Sequence, residues 1–146
     1  MMRVRALFGE RVQHRMTIQV EWADEDCTTL RMKYEGHWTI DELRRVGTDA
    51  IMMIRTVHHP VYVISDFTTS DSVPVGVLWQ ARDLHQMRPP NWEAGITVTS
   101  DGLAKSLLDL FGLVYMGQRR RRLYVAASNE EAQKIVDRLK SEKRVS

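Results

Sequence analysis

Between Asp66 and Gly76 the chain concentrates side chains that could do chemistry: Asp66-Phe67-Thr68-Thr69-Ser70-Asp71-Ser72, then Val73-Pro74-Val75-Gly76. Carboxylates and hydroxyls at the start of a helix can cap its free N–H groups or hold a cation. A hydroxyl there can also carry a phosphate that the helix dipole stabilises. Asp66, Thr68, Thr69, Asp71 and Ser72 are therefore the candidate recognition or modification residues. Capping alone explains such a composition, because Ser, Thr and Asp are what any helix start prefers.

Other reactive residues fall short of a site. The adjacent imidazoles of His58-His59 would point roughly 100° apart on a helix, with no acidic or cysteine ligand at a supporting spacing. His14, His37 and His85 are scattered. Cys27 sits beside Glu25 and Asp26, and neighbouring carboxylates disfavour a thiolate. The Asp24-Glu25-Asp26 run reads as a solvated turn. No glycine-rich phosphate loop is present; Gly112 and Gly117 only punctuate. An enzyme using Asp66 and Asp71 as acid and base has no further group supporting it. The sequence gives no catalytic motif, no metal set and no cofactor site, so a non-enzymatic protein is expected.

Composition narrows the partners. The 146 residues suit one domain, with a core expected over about residues 13–141. A net charge of +2, from 21 basic and 19 acidic residues, is no electrostatic footprint for nucleic acid. The run Arg119-Arg120-Arg121-Arg122 reads as a solvated turn before a terminal strand. A single cysteine, no signal-like start and no apolar run near the roughly 20 residues of a membrane span point to a cytoplasmic location. Four tryptophans and eight methionines exceed what a core of this size obviously needs. Met52, Met53, Trp79 and Met87 either pack inward or form a ligand cavity or dimer surface.

The elements that must position the candidate segment follow from periodicity. Residues 13–21 alternate, with Met16, Ile18 and Val20 on one side, and Thr28, Leu30, Met32 and Tyr34 alternate again after the polar turn. The pair predicts an antiparallel hairpin. Thr39 and Glu42 fit a capping box for a helix carrying Ile40, Leu43, Val46, Ala50, Ile54 and Val57, ended by His58-His59-Pro60. Val61–Ser65 is an apolar, β-branched run suited to a central strand. The candidate segment is then a loop from Asp66 to Val73, entering a second helix near Pro74 that runs to about Met87. A strand over 94–99 follows, then a third helix with Leu103, Leu107, Leu110, Phe111 and Val114. A strand over 122–126 and a last helix capped by Ser128 and Glu131 complete the chain. The order ββαβαβαβα predicts an α/β fold: a mixed, mainly parallel five-stranded sheet with four helices and an antiparallel edge. Ligands and partners of such sheets meet the loops at the carboxyl ends of the parallel strands.

That order, with Asp71-Ser72-Val73-Pro74-Val75-Gly76-Val77-Leu78-Trp79 following a Val-Ile-Ser-Asp strand, resembles the SpoIIAA-like branch of the STAS fold, as does Trp38 before the first helix. STAS domains carry an Asp-Ser-Ser-Gly-Leu-Gly motif after the central strand, and a partner kinase phosphorylates its first serine. The resemblance implies a STAS-like regulatory or binding module with Ser72 as phosphoacceptor and Asp71 beside it. Here Val73 replaces the second serine and Pro74 the glycine, which removes backbone freedom that the motif uses. The expected partner is a protein or a small apolar ligand, with a homodimer as a further possibility. The alternative function is a small-molecule or lipid carrier with an apolar pocket between sheet and helices, by analogy with the related architecture of lipid-transfer domains.

Overall fold

The computed structural model describes residues 17–74, 76–100, 102 and 122–145. Strand β1 (Ile18–Trp22) pairs antiparallel with β2 (Thr29–Gly36), Ile18 facing Tyr34 and Trp22 facing Leu30. The alternation read from the sequence decides this pairing, because a one-residue slip would turn Ile18, Val20 and Trp22 out to solvent. Asp24 shapes the hairpin turn and is not merely solvated. Its Oδ1 accepts the N–H groups of Thr28 and Thr29, both at 3.0 Å, and its Oδ2 accepts the Thr28 hydroxyl. Cys27, which the sequence suggested would begin the strand, lies in this turn at φ 56°.

Helix α1 (Ile40–Arg55) opens on the expected capping box. The Glu42 N–H donates to Thr39 Oγ1 at 3.1 Å, and the Thr39 N–H donates to Glu42 Oε1 at 3.2 Å. The other carboxylate oxygen of Glu42 accepts the N–H of Thr17 at 3.1 Å, tying the helix start to the start of the sheet. The helix ends three residues earlier than His58, with Thr56 as its C-cap. Asn91 explains the firm stop: its side-chain amide donates to the carbonyls of Ile54, Val57 and His59 at 3.0, 3.1 and 3.1 Å.

Strand β3 (Val61–Ser70) is twice the expected length. It runs parallel to β2 on one side and to β4 (Trp92–Val98) on the other. Helix α2 (Val77–Gln86) lies between β3 and β4, starting three residues after Pro74. Strand β5 (Arg122–Ala126) pairs parallel with β4, and helix α3 (Asn129–Val145) closes the chain. The sheet order is β1-β2-β3-β4-β5, with one antiparallel and three parallel pairings. Three helices stand among the described residues, where four were expected. The other expected helix, over Leu103 to Val114, lies outside them, as do His14, Met16, Gly112, Gly117 and Arg119 to Arg121.

Two cores separate by strand parity. Val61, Val63 and Phe67 face α1, packing with Ile18, Val20, Leu30, Met32, Leu43, Val46 and Ile54. Tyr62 and Ile64 face the other way, with Ala94, Ile96 and Val98 against Ala132, Val136 and Leu139 of α3. The Val61–Ile64 run is therefore apolar throughout because both faces of this central strand are covered. Gly47 lets the two helices on the first face approach: a Cβ there would stand 2.6 Å from Leu84 Cδ1.

Candidate functional site

The expected loop from Asp66 to Val73 is a correction. Asp66 to Ser70 continue β3, and the connection to α2 is only residues 71–76. The cause is the neighbouring strand: Lys33, Glu35 and Gly36 of β2 pair with Asp66, Thr69 and Ser70. Available backbone partners outweigh the low strand preference of Asp and Ser.

Extension of β3 distributes the candidate residues over two environments. Asp66, 3% exposed, belongs to the α3 face. Its Oδ1 accepts the Thr68 N–H at 2.9 Å and hydroxyl at 2.6 Å, and its Oδ2 accepts the Asn129 amide at 2.9 Å. The Asn129 carbonyl in turn accepts from Arg31 of β2. Burial alone would raise the Asp66 carboxyl, but the Thr68 and Asn129 donors and the Arg31 charge together hold it below its ordinary value. Asp66 is thus a fixed anion joining β3 to the start of α3. It is suited to hold structure and unsuited to donate a proton near neutrality. Thr68 is consumed in the same network, and the Thr69 hydroxyl donates to the Tyr34 carbonyl at 3.1 Å.

Asp71 and Ser72 form the other environment, at the exposed carboxyl end of the sheet. The Asp71 N–H donates to the carbonyl of Gly36, whose φ of 57° turns β2 toward α1. This turn brings in a residue that sequence spacing left aside. His37 Nδ1 lies 3.1 Å from Ser72 Oγ, and its Nε2 lies 3.8 Å from Asp71 Oδ2. Nothing in the one-dimensional pattern links positions 35 residues apart. The signal available was topological: the ends of adjacent parallel strands open into neighbouring loops. Behind the trio, the Trp38 indole N–H donates to Ser70 Oγ at 2.8 Å, and the Ser70 hydroxyl donates to the Ser72 carbonyl at 3.1 Å. Trp38 is itself buried against Tyr34, so the turn is anchored to the core.

Serine, imidazole and carboxylate together suggest an activated nucleophile, but the geometry differs from one. The carboxylate stands beyond hydrogen-bond reach of the ring, and the His37 and Asp71 side chains are 78% and 62% exposed. Water competes for every contact. Asp66 and Asp71 do not share a concave site, since one is locked beneath α3 and the other is open to solvent. Among the described residues, no cluster of three or more His, Cys, Asp or Glu could hold a metal ion. No described helix is long and apolar enough to cross a membrane.

A cavity of about 120 Å³ lies on the opposite face of β3, between the sheet and helices α1 and α2. Tyr34, Trp38 and Phe67 close one end; Leu43 and Ala50 of α1 and Val77, Ala81 and Leu84 of α2 form its walls. Tyr34 and Phe67 stack at 4.2 Å between ring centroids. Ser65, Gly95 and Thr97 form part of the sheet surface beneath. The helical methionines and tryptophans are not all core: Trp79 is 63% exposed, and Met52 and Met87 are exposed as well.

The sequence matches no protein-family model and no curated protein. Among solved structures the chain is similar to an uncharacterized protein of the DUF3478 family with a SpoIIAA-like fold, from Shewanella loihica PV-4. The TM-score is 0.54 at 15% identity, with 80% of this chain and 90% of that one covered. The parallel sheet with its antiparallel β1 edge and the helices that flank it thus constitute a SpoIIAA-like fold.

Proposed function

We propose that this protein is a non-enzymatic binding or regulatory module of the STAS-like type, meeting a protein partner through the exposed end of β3 and the turn into α2. The observation that carries this reading is the placement of Ser72 and Asp71. They are the part of the candidate segment that emerges from the sheet, and they stand against His37. A phosphate on Ser72 would lie beside an imidazole able to donate to it, and beside Asp71, whose charge would be repelled. Phosphorylation would then rearrange the turn and change the surface shown to a partner. Asp66 and Thr68 support this surface from below by fixing the end of β3.

The test joins intact-mass measurement with affinity capture from the native host. A phosphoform absent from Ser72→Ala, together with a partner lost from His37→Ala or Asp71→Ala, would support the reading. Capture unaffected by all three changes, with no phosphoform, would remove this surface from consideration.

A second reading, a small-molecule carrier, has its own observation in the cavity under α1 and α2. Its volume of about 120 Å³ is below the ~300–1,000 Å³ of drug-sized pockets. It therefore favours a compact molecule over a lipid acyl chain.

A further inference from the structure

Among the described lining residues of that cavity, polar groups include Arg88, whose guanidinium donates to the Trp92 carbonyl, and two aliphatic hydroxyls. Ser65 of β3 and Thr97 of β4 are register partners on adjacent parallel strands, so their side chains rise side by side from the sheet. Thr97 is only 4% exposed. Among the described residues neither hydroxyl makes a side-chain hydrogen bond, and both line the cavity. Thr29, by contrast, is the one described side chain whose polar atom is wholly sealed away without a partner. A nearly buried hydroxyl without a protein partner forfeits its hydrogen bond unless something in the cavity supplies one.

The space beside the pair has a specific origin. Gly95 lies between Val63 of β3 and Leu123 of β5 in register. Its missing side chain leaves the sheet surface open, and a Cβ built there would sit 3.7 Å from Leu123 Cδ1. The volume is of the order of the ~150 Å³ apolar cavity that admits benzene.

We propose that the cavity binds a compact apolar molecule of about one aromatic ring that carries a single hydroxyl, and that Ser65 and Thr97 recognise this hydroxyl as a pair. The ligand hydroxyl donates to one protein oxygen and accepts from the other, so all three groups are satisfied within a largely apolar lining. Its one charged group among the described residues, Arg88, is engaged with the Trp92 carbonyl. The proposal rests on the carrier reading and adds the polar determinant to it. Shape and apolar contact alone would favour a ligand without the hydroxyl, because a phenolic group must shed water to enter.

Phenol and toluene separate these cases, being nearly equal in size and differing in hydroxyl against methyl. Binding is read by NMR titration of the full chain, following the amides of Ser65, Gly95 and Thr97. The wild type is expected to bind phenol more tightly than toluene. The Ser65→Ala/Thr97→Val double variant should lower the phenol-to-toluene affinity ratio by about tenfold, the scale of a buried hydrogen bond. Thr97→Ser, which keeps the hydroxyl and carries little risk to folding, should preserve the wild-type preference. Gly95→Ala should weaken both ligands by narrowing the cavity. Equal binding of both ligands, or a ratio unchanged in the double variant, would overturn the hydroxyl pair while leaving the carrier reading standing. Binding of neither ligand by the wild type would overturn both. Loss of preference in Thr97→Ser would also count against the pair, since the hydroxyl itself would then not be the determinant.

Discussion

Individual side chains in this protein divide by whether their polar atoms are already engaged. Asp66 is fully engaged, and its depressed titration makes it a stability element. A carboxyl held below its unfolded value of about 3.9 contributes fully above that pH, and its contribution is lost as pH falls through the lower folded value. Asp24 and Glu42 are lowered as well, against the upward push of burial, by the Thr28 and Thr29 donors and by the Thr17 and Thr39 donors respectively. The fold should therefore lose urea resistance below about pH 4. Asp66→Asn is expected to cost about 1–3 kcal/mol at pH 7 by leaving its donors poorly matched. The gap to wild type should shrink toward pH 2, which urea midpoints across that range would measure. Thr29 shows the opposite state. Its sealed, unpartnered hydroxyl contributes a penalty, so the near-isosteric Thr29→Val should raise stability by about 1 kcal/mol. Thermal melts would check the sign, and a loss of stability would mean that the hydroxyl has a partner after all. Of these residues, Asp66 as a candidate and Glu42 as half of a capping box were readable in sequence, but the partners of Asp66 were not. Its partner Asn129 lies 63 positions away, a distance that no local pattern spans.

At the scale of elements, side chains that close element ends set boundaries that periodicity leaves vague. Thr39 and Glu42 announce the start of α1 because a capping box is a local motif, complete within four residues. The end of α1 depends on Asn91, which comes from the far side of α2 and caps three carbonyls at once. Asn91→Ala should therefore destabilise the fold by about 1–3 kcal/mol, although the residue looks like part of a plain Arg-Pro-Pro-Asn break. Urea denaturation, with hydrogen exchange at Thr56 and Val57, would show whether fraying begins there. The same dependence on distant partners explains the length of β3. Asp66 to Ser70 read as a loop by residue type, and become a strand because β2 presents its edge to them. Extension of the strand moves the functional candidates apart. Asp66 and Thr68 go to the α3 network, while Asp71 and Ser72 remain in a short exposed turn with His37.

For the whole molecule, the sheet is a partition between two apolar cores that, among the described residues, share no buried residue. Leu43→Ala on one side and Leu139→Ala on the other should each cost about 2–5 kcal/mol. The double variant should equal their sum to within about 0.5 kcal/mol, because neither cavity adjoins the other. Chemical denaturation of the three variants would test this, and a clear departure from additivity would show that the sheet transmits strain. The partition also organises the candidate sites. The α3 face holds Asp66 in structural duty, the α1 and α2 face holds the cavity with Ser65 and Thr97, and the carboxyl end holds Ser72.

By itself the sequence determined the local facts: the alternating hairpin, the capped start of α1, the doubly covered central strand, and the α/β order that follows from them. These are legible because each depends on residues within a few positions of one another, through backbone period or a nearby side chain. Only the tertiary structure decided which candidate residues meet. Strand pairing between β2 and β3 turned the candidate loop into strand and brought His37 to Ser72. Pairing between β3 and β4 set Ser65 beside Thr97 above a glycine-made gap. Residues of that kind carry no shared spacing in the chain, since what joins them is register across neighbouring strands, and register is fixed only when the faces of the sheet are buried.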